Sequence, residues 1–142
     1  MSTRANVVMP NPSSPKCPIV SIYIHFEGYP EHTGEILKQN YNTTAKLEQL
    51  FSLGDLALIG PEIGEKHDFK THGEGETKNW CLSYFRDYGD SRTKAMRWKS
   101  LGDFTAKIYE DNIDYVYLWV GNKFIVWKNT GKEPIIDDFK DL

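Results

Sequence analysis

Cysteine is scarce: Cys17 and Cys81 are the only two in 142 residues, and they form no CxxC pair. That excludes a disulfide scaffold or a zinc ribbon and fits a reducing compartment. No window approaches the roughly 20 apolar residues of a membrane span. The opening "MSTRANVVMPNPSSPKCP" lacks the apolar core of a signal peptide. Positive charge is in no excess either, with 17 Lys and Arg against 20 Asp and Glu for a formal charge of −3. A protein held to DNA by phosphate neutralisation needs a basic surplus, so DNA binding is disfavoured. There is no G-x-S-x-G elbow and no HExxH pair, and "GEGET" at 73–77 lacks the lysine of a phosphate loop.

Apolar content is ample, at 39% hydrophobic and 13% aromatic residues, and the length suits one domain with a real core. Residues 1–18 carry four prolines and three serines. They read as a mobile N-terminal arm that adds little stability, followed by a single α+β domain over 19–142. In "IVSIYIHF" the residues Val20, Ile22, Ile24 and Phe26 share one face, the alternation of a half-buried antiparallel strand. Gly28 and Pro30 end it, and a helix is expected from about Thr33 to Tyr41. A second helix follows in "NTTAKLEQLFSLG", with Asn42 or Thr43 as its cap, Leu47, Leu50 and Phe51 as its apolar stripe and Gly54 as its stop. From Gly54 to Lys78 the periodicity dissolves into a long loop.

"NWCLSYFR" alternates as a strand again, and "SLGDFTAKIYED" spaces Leu101, Phe104 and Ile108 as a helix. "IDYVYLWV", Gly121-Asn122 and "KFIVWK" predict a hairpin over 113–128 in which Trp119 pairs with Phe124, Tyr117 with Val126 and Leu118 with Ile125. The acidic tail from Asn129 is expected on the surface. The fold expected is α+β, a mostly antiparallel sheet of about four strands with two or three helices packed on one face.

Two segments concentrate polar and aromatic residues. The first is the turn after the opening strand, with His25, Glu27, Tyr29, Glu31 and His32; the second holds Arg86, Asp87, Arg92, Lys94, Arg97, Trp98 and Lys99. The second reads either as a solvated basic face or as a patch for an anionic ligand. His67 and His72 lie five apart in the long loop, a spacing that is not diagnostic of a metal site, and Cys81 within a strand reads as a buried, inert thiol. No metal ligands, catalytic residues or cofactor are expected. The Glu27–Glu31 turn and Arg86-Asp87, both at strand ends, are expected side by side with their charges compensating.

The stretch "YIHFEGYPEHTGEILKQNY" resembles the Y-x-H-W-D-G-Y-P-E motif of a family of small uncharacterised proteins from bacteriophages and prophages, departing at Phe26 and Glu27. "LGDLALIG" at 53–60, "YFRDYGDS" at 84–91 and the closing "DYVYLWVGNKFIVW" are similar to later segments of that family, with Phe85 in place of a histidine. The resemblance implies a phage origin and no particular reaction. It favours a non-enzymatic accessory protein that inhibits or diverts a host process, antiviral defence foremost, in the host bacterial cytoplasm. It would bind a host protein or sequester a nucleotide-like ligand. The expected contacts are His25, Glu27, Tyr29, Glu31, Arg86, Asp87 and Trp98, the partner a host protein or a small anionic ligand; homo-oligomerisation stays open and no membrane association is expected. The rival expectation is a small metal-dependent hydrolase or nuclease using Glu27, Glu31, Asp87 and His25.

Overall fold

The computed structural model describes residues 2–11, 13–108, 111–132 and 138–142. The segment read as an arm contains a strand, β1 (Ala5–Pro10), that forms the middle of the sheet. It pairs antiparallel with β2 (Ile19–Ile24), Val7 facing Ile22, and parallel with β6 (Tyr115–Trp119), Val7 facing Tyr117. The short run "ANVVM" is apolar and β-branched enough for a central strand. Averaged over eighteen residues rich in proline and serine, that signal disappears. Pro10 sits at the strand's end, where a missing backbone donor does least harm.

The remaining strands are β3 (Leu56–Leu58), β4 (Leu82–Ser83), β5 (Met96–Trp98), β7 (Phe124–Lys128) and β8 (Lys140–Asp141). Among the described residues eight strands join one mixed sheet, in the order β4-β3-β2-β1-β6-β7-β8 with β5 paired to β2 beside β3. The expectation of a mostly antiparallel sheet of about four strands is therefore corrected. β1–β6 and β2–β3 are parallel, and such pairings between distant segments leave no local mark in a sequence. The hairpin of β6 and β7 has the expected register, and the rings of Trp119 and Phe124 meet at 4.8 Å.

The helices lie on both faces of the sheet, which corrects the single helical layer expected. On one face α1 (Glu35–Asn40) and α2 (Thr44–Phe51) bury Leu37, Leu47 and Leu50 against Val7, Ile22, Ile24 and Tyr117. Thr43, one of the two expected caps, caps α2 by accepting the Lys46 N–H at 3.2 Å. On the other face α3 (Leu101–Ile108) sets Phe104 and Ile108 against Val8, Val116 and Trp127. A single π-helical turn over Pro30–Gly34 leads into α1, with proline at its start where no donor is needed.

Two expected elements shrink or shift. The loop expected from Gly54 to Lys78 opens instead with β3, and the backbone at Thr93 and Lys94 runs so close over Gly54 that no side chain would fit there. The expected strand "NWCLSYFR" keeps only Leu82–Ser83, because the Asp87 carboxylate takes the Ser83 N–H at 2.8 Å and turns the chain. In the acidic tail, residues 133–137 lie outside the described residues, and Phe139 packs near Trp127. Among the described residues no helix is long and apolar enough to cross a membrane.

Candidate functional site

The edge of β2 is shared. β5 pairs with its first half, Ser21 facing Met96, and β3 meets its end at Ile24, facing Leu56. Between them the Tyr23 N–H has no strand partner, and Oδ1 of Asp55 accepts it at 2.9 Å. Asp55 is fixed by its own backbone, its N–H donating to Thr93 O at 2.7 Å and its carbonyl accepting from Tyr84 N at 3.3 Å. Burial pushes the Asp55 carboxyl up to about 6; the Tyr23 N–H opposes that shift and nearby Asp90 adds to it.

On the α3 face this junction forms the floor of a cleft of about 420 Å³. Asn6, Ser21 and Tyr23 make a polar strip there, with Asn6 and Ser21 buried. Trp98 forms one wall. Its indole N–H donates to the Ser21 hydroxyl at 2.9 Å and its ring meets Phe104 edge-on at 5.5 Å, so its orientation is fixed. Ile108 and Ile113 bring the end of α3 and the segment after it into the lining.

Four cations and two carboxylates line the cleft: Arg4, Arg92, Lys94 and Lys107 against Asp55 and Asp111. Arg92 is exposed and paired with Asp90 at 3.2 Å, while Lys94 lies over the Phe85 ring at 5.0 Å. Arg4 differs from these. Its backbone N–H donates to Asp114 at 2.9 Å, but among the described residues its guanidinium makes no hydrogen bond or ion pair, and Nε is shut off from solvent without an acceptor. Burial raises the Tyr23 phenol above its usual range and the Arg4 charge partly offsets that. Arg4 lines the cleft with no carboxylate in ion-pair distance among the described residues, so an anion in the cleft would supply the missing counter-charge.

Of the residues expected from sequence, Trp98 lines this cleft together with Arg92 and Lys94 of the basic segment. Arg97, one position away on a strand, points to the other face, where it lines a separate hollow with Met9, Phe51 and Phe85. His25, Glu27, Tyr29 and Glu31 do not line the cleft. His25 reaches it only through the Tyr23 hydroxyl, 2.7 Å from its Nδ1.

The turn after β2 uses its polarity for docking. Glu27 takes a left-handed φ of 54°, its carbonyl accepts from the Thr33 hydroxyl at 2.8 Å, and its carboxylate meets Tyr29 at 3.3 Å and His32 at 3.7 Å. Gly28 presses on the start of β1: its N–H donates to Thr3 O at 2.8 Å, and a Cβ there would lie 2.8 Å from that of Ala5. The buried Tyr117 hydroxyl donates to Gly28 O at 2.7 Å. Glu31 is exposed.

The expected pairing of Arg86 with Glu27 or Glu31 is corrected, since Arg86 makes no ion pair with either. Its Nε donates to Asp87 at 2.9 Å, Nη1 to Ile63 O at 2.7 Å and Nη2 to Cys81 O at 2.9 Å. The Asp87 side chain is 0% exposed and also accepts from the N–H groups of His67 and Ser83. This cluster ties the long loop to β4. His67 Nε2 and His72 Nδ1 lie 2.8 Å apart, a direct imidazole–imidazole hydrogen bond. Among the described residues no group of three or more His, Cys, Asp or Glu could hold a metal ion. Cys81 is buried, and burial pushes its thiol up, which keeps it protonated and inert.

Sequence reasoning missed Arg4, Asn6, Asp55 and Lys107. The β-branched run between Arg4 and Pro10 was the available signal for the first two. Asp55 and Lys107 acquire meaning only from the tertiary path. No protein-family model, no curated protein and no solved structure matches the chain.

Proposed function

We propose that this chain is a binding protein that holds a small anionic, nucleotide-like ligand in the cleft between β1, β2, β5 and the end of α3. The observation that carries this reading is the unpaired guanidinium of Arg4, in a cleft that also holds the rigid indole of Trp98 and three further cations. Cations provide for phosphate, and an aromatic wall provides for a planar base. The volume of about 420 Å³ lies within the ordinary range of small-molecule sites. Taken with the resemblance of its motifs to phage proteins, the chain acts by sequestration. It withdraws a nucleotide-like signal in the host cytoplasm and so diverts a host process, antiviral defence foremost.

The hydrolase reading is disfavoured by the carboxylates it needs. Asp87 is enclosed and its oxygens are engaged by Arg86, His67 and Ser83, so it offers neither a metal nor a water a free lone pair. Titration calorimetry with AMP and GMP tests the proposal. Stoichiometric binding without product is expected, weakened about tenfold or more by Arg4→Ala or Trp98→Ala. Turnover of either nucleotide, or affinities unchanged in both variants, would overturn it.

A further inference from the structure

We infer that the cleft selects a guanine nucleotide, Asp55 taking the base edge while Arg4 takes the phosphate; this rests on the cleft being the binding site. An ionised carboxylate only accepts hydrogen bonds, so it recognises a ligand edge made of donors. Oδ1 of Asp55 spends one lone pair on the Tyr23 N–H and keeps another, and no donor among the described residues meets Oδ2. Both oxygens can therefore receive a pair of adjacent N–H groups in a forked arrangement.

Guanine offers that pair in its N1–H and 2-amino group. Adenine and cytosine each set an amino group beside a ring nitrogen acceptor, whose lone pair would face the carboxylate. Uracil sets a single N–H between two carbonyls. Of the four bases only guanine meets Asp55 without opposing lone pairs.

The spacing agrees. Asp55 abuts β2 from one side and Arg4 leads into β1 on the other, on the face that also carries Asn6 and Ser21. Ala5 faces Ile24 and Ile24 faces Leu56, so the backbones of Arg4 and Asp55 stand two strand spacings apart and are staggered by two residues along β2, about 12 Å in all. Both side chains line the cleft between them, so a nucleotide lying across β2 can present its base edge to one and its phosphate to the other. Trp98 is pinned on the same face by its bond to Ser21 and offers its indole to the base. The position of Asp55 is fixed by backbone contacts with Thr93 and Tyr84, so the acceptor is preorganised before any ligand arrives.

The test is equilibrium binding of GMP, IMP, AMP and inorganic phosphate to the full chain at neutral pH. IMP differs from GMP only in lacking the 2-amino group. GMP is expected to bind about tenfold or more tighter than IMP and AMP, with phosphate weakest. Asp55→Asn, which keeps an acceptor for Tyr23 but turns one carboxylate oxygen into a donor, should erase the preference. The comparison of GMP with IMP on the unaltered chain stands even if that variant does not fold. Equal binding of GMP, IMP and AMP, or phosphate binding as tightly as GMP, would overturn the guanine inference and leave the cleft reading intact. Failure of all four to bind would overturn both.

Discussion

The backbone N–H of Tyr23 donates to Oδ1 of Asp55 at 2.9 Å, at the point on the edge of β2 where β5 has ended and β3 begins. A carboxylate here stands in for a missing strand residue. It completes the ladder, and its side chain lines the cleft with Oδ2 unbonded among the described residues. The same burial that makes the bond valuable makes the charge costly, and the Asp55 carboxyl is raised from 3.8 to about 6.

That shift fixes a pH dependence of stability. A carboxyl whose folded pKa is raised takes up its proton more readily when folded, so folding gains stability as pH falls from above about 6 toward 4. Asp55→Asn lacks this titration. Relative to that variant, the unaltered chain should gain about 1–2 kcal/mol across the window, a figure discounted for the partial exposure of Asp55. Urea unfolding of both proteins at a series of pH values measures the difference. A flat difference, or one of opposite slope, would show that Asp55 is not desolvated as described.

Removal of residues 1–11 should abolish cooperative folding, not leave the melting temperature unchanged as a mobile arm would. β1 is paired on both sides, and Ala5, Val7, Val8 and Met9 are at most 2% exposed. Circular dichroism on heating decides this, and a sigmoidal melt close to that of the full chain would contradict the topology.

Arg86→Ala leaves the enclosed Asp87 carboxylate without its cation and should destabilise the fold by about 3–5 kcal/mol. Asp87→Asn should do comparable harm. Glu31→Gln should change stability by under about 0.5 kcal/mol, since Glu31 is exposed and makes no pair with Arg86. Parallel losses from Arg86→Ala and Glu31→Gln would restore the pairing that the structure rejects.

Gly28→Ala should cost about 1–3 kcal/mol, because a Cβ would lie 2.8 Å from that of Ala5 and 2.9 Å from Thr3 O. Denaturant unfolding reads the effect directly. A neutral substitution would mean that the turn after β2 does not press on β1.

What the sequence made legible was local. The hairpin register followed from alternation around Gly121-Asn122, and the cap of α2 was narrowed to Asn42 or Thr43, of which Thr43 serves. What it hid was assembled over distance. The parallel pairing of Val7 with Tyr117 spans more than a hundred residues, and no periodicity encodes it. Trp98 and Lys94 were readable as a candidate patch because they are close in sequence. Arg4 and Asp55 were not, because only the sheet brings them to the same face. The polar turn from His25 to Glu31 drew attention for a different reason. Residues that dock a turn on a neighbouring strand are the same types that bind ligands.

The central claim is that the cleft holds a nucleotide, and amide and indole NMR shifts on titration with GMP and AMP test it most directly. Perturbations are expected at Arg4–Asn6, Ser21–Tyr23, Asp55, Arg92–Trp98 and Lys107–Ile108. The indole N–H of Trp98 is expected to move while those of buried Trp119 and Trp127 stay still. Shifts confined to Phe26–Glu31, or none with either nucleotide, would contradict the claim.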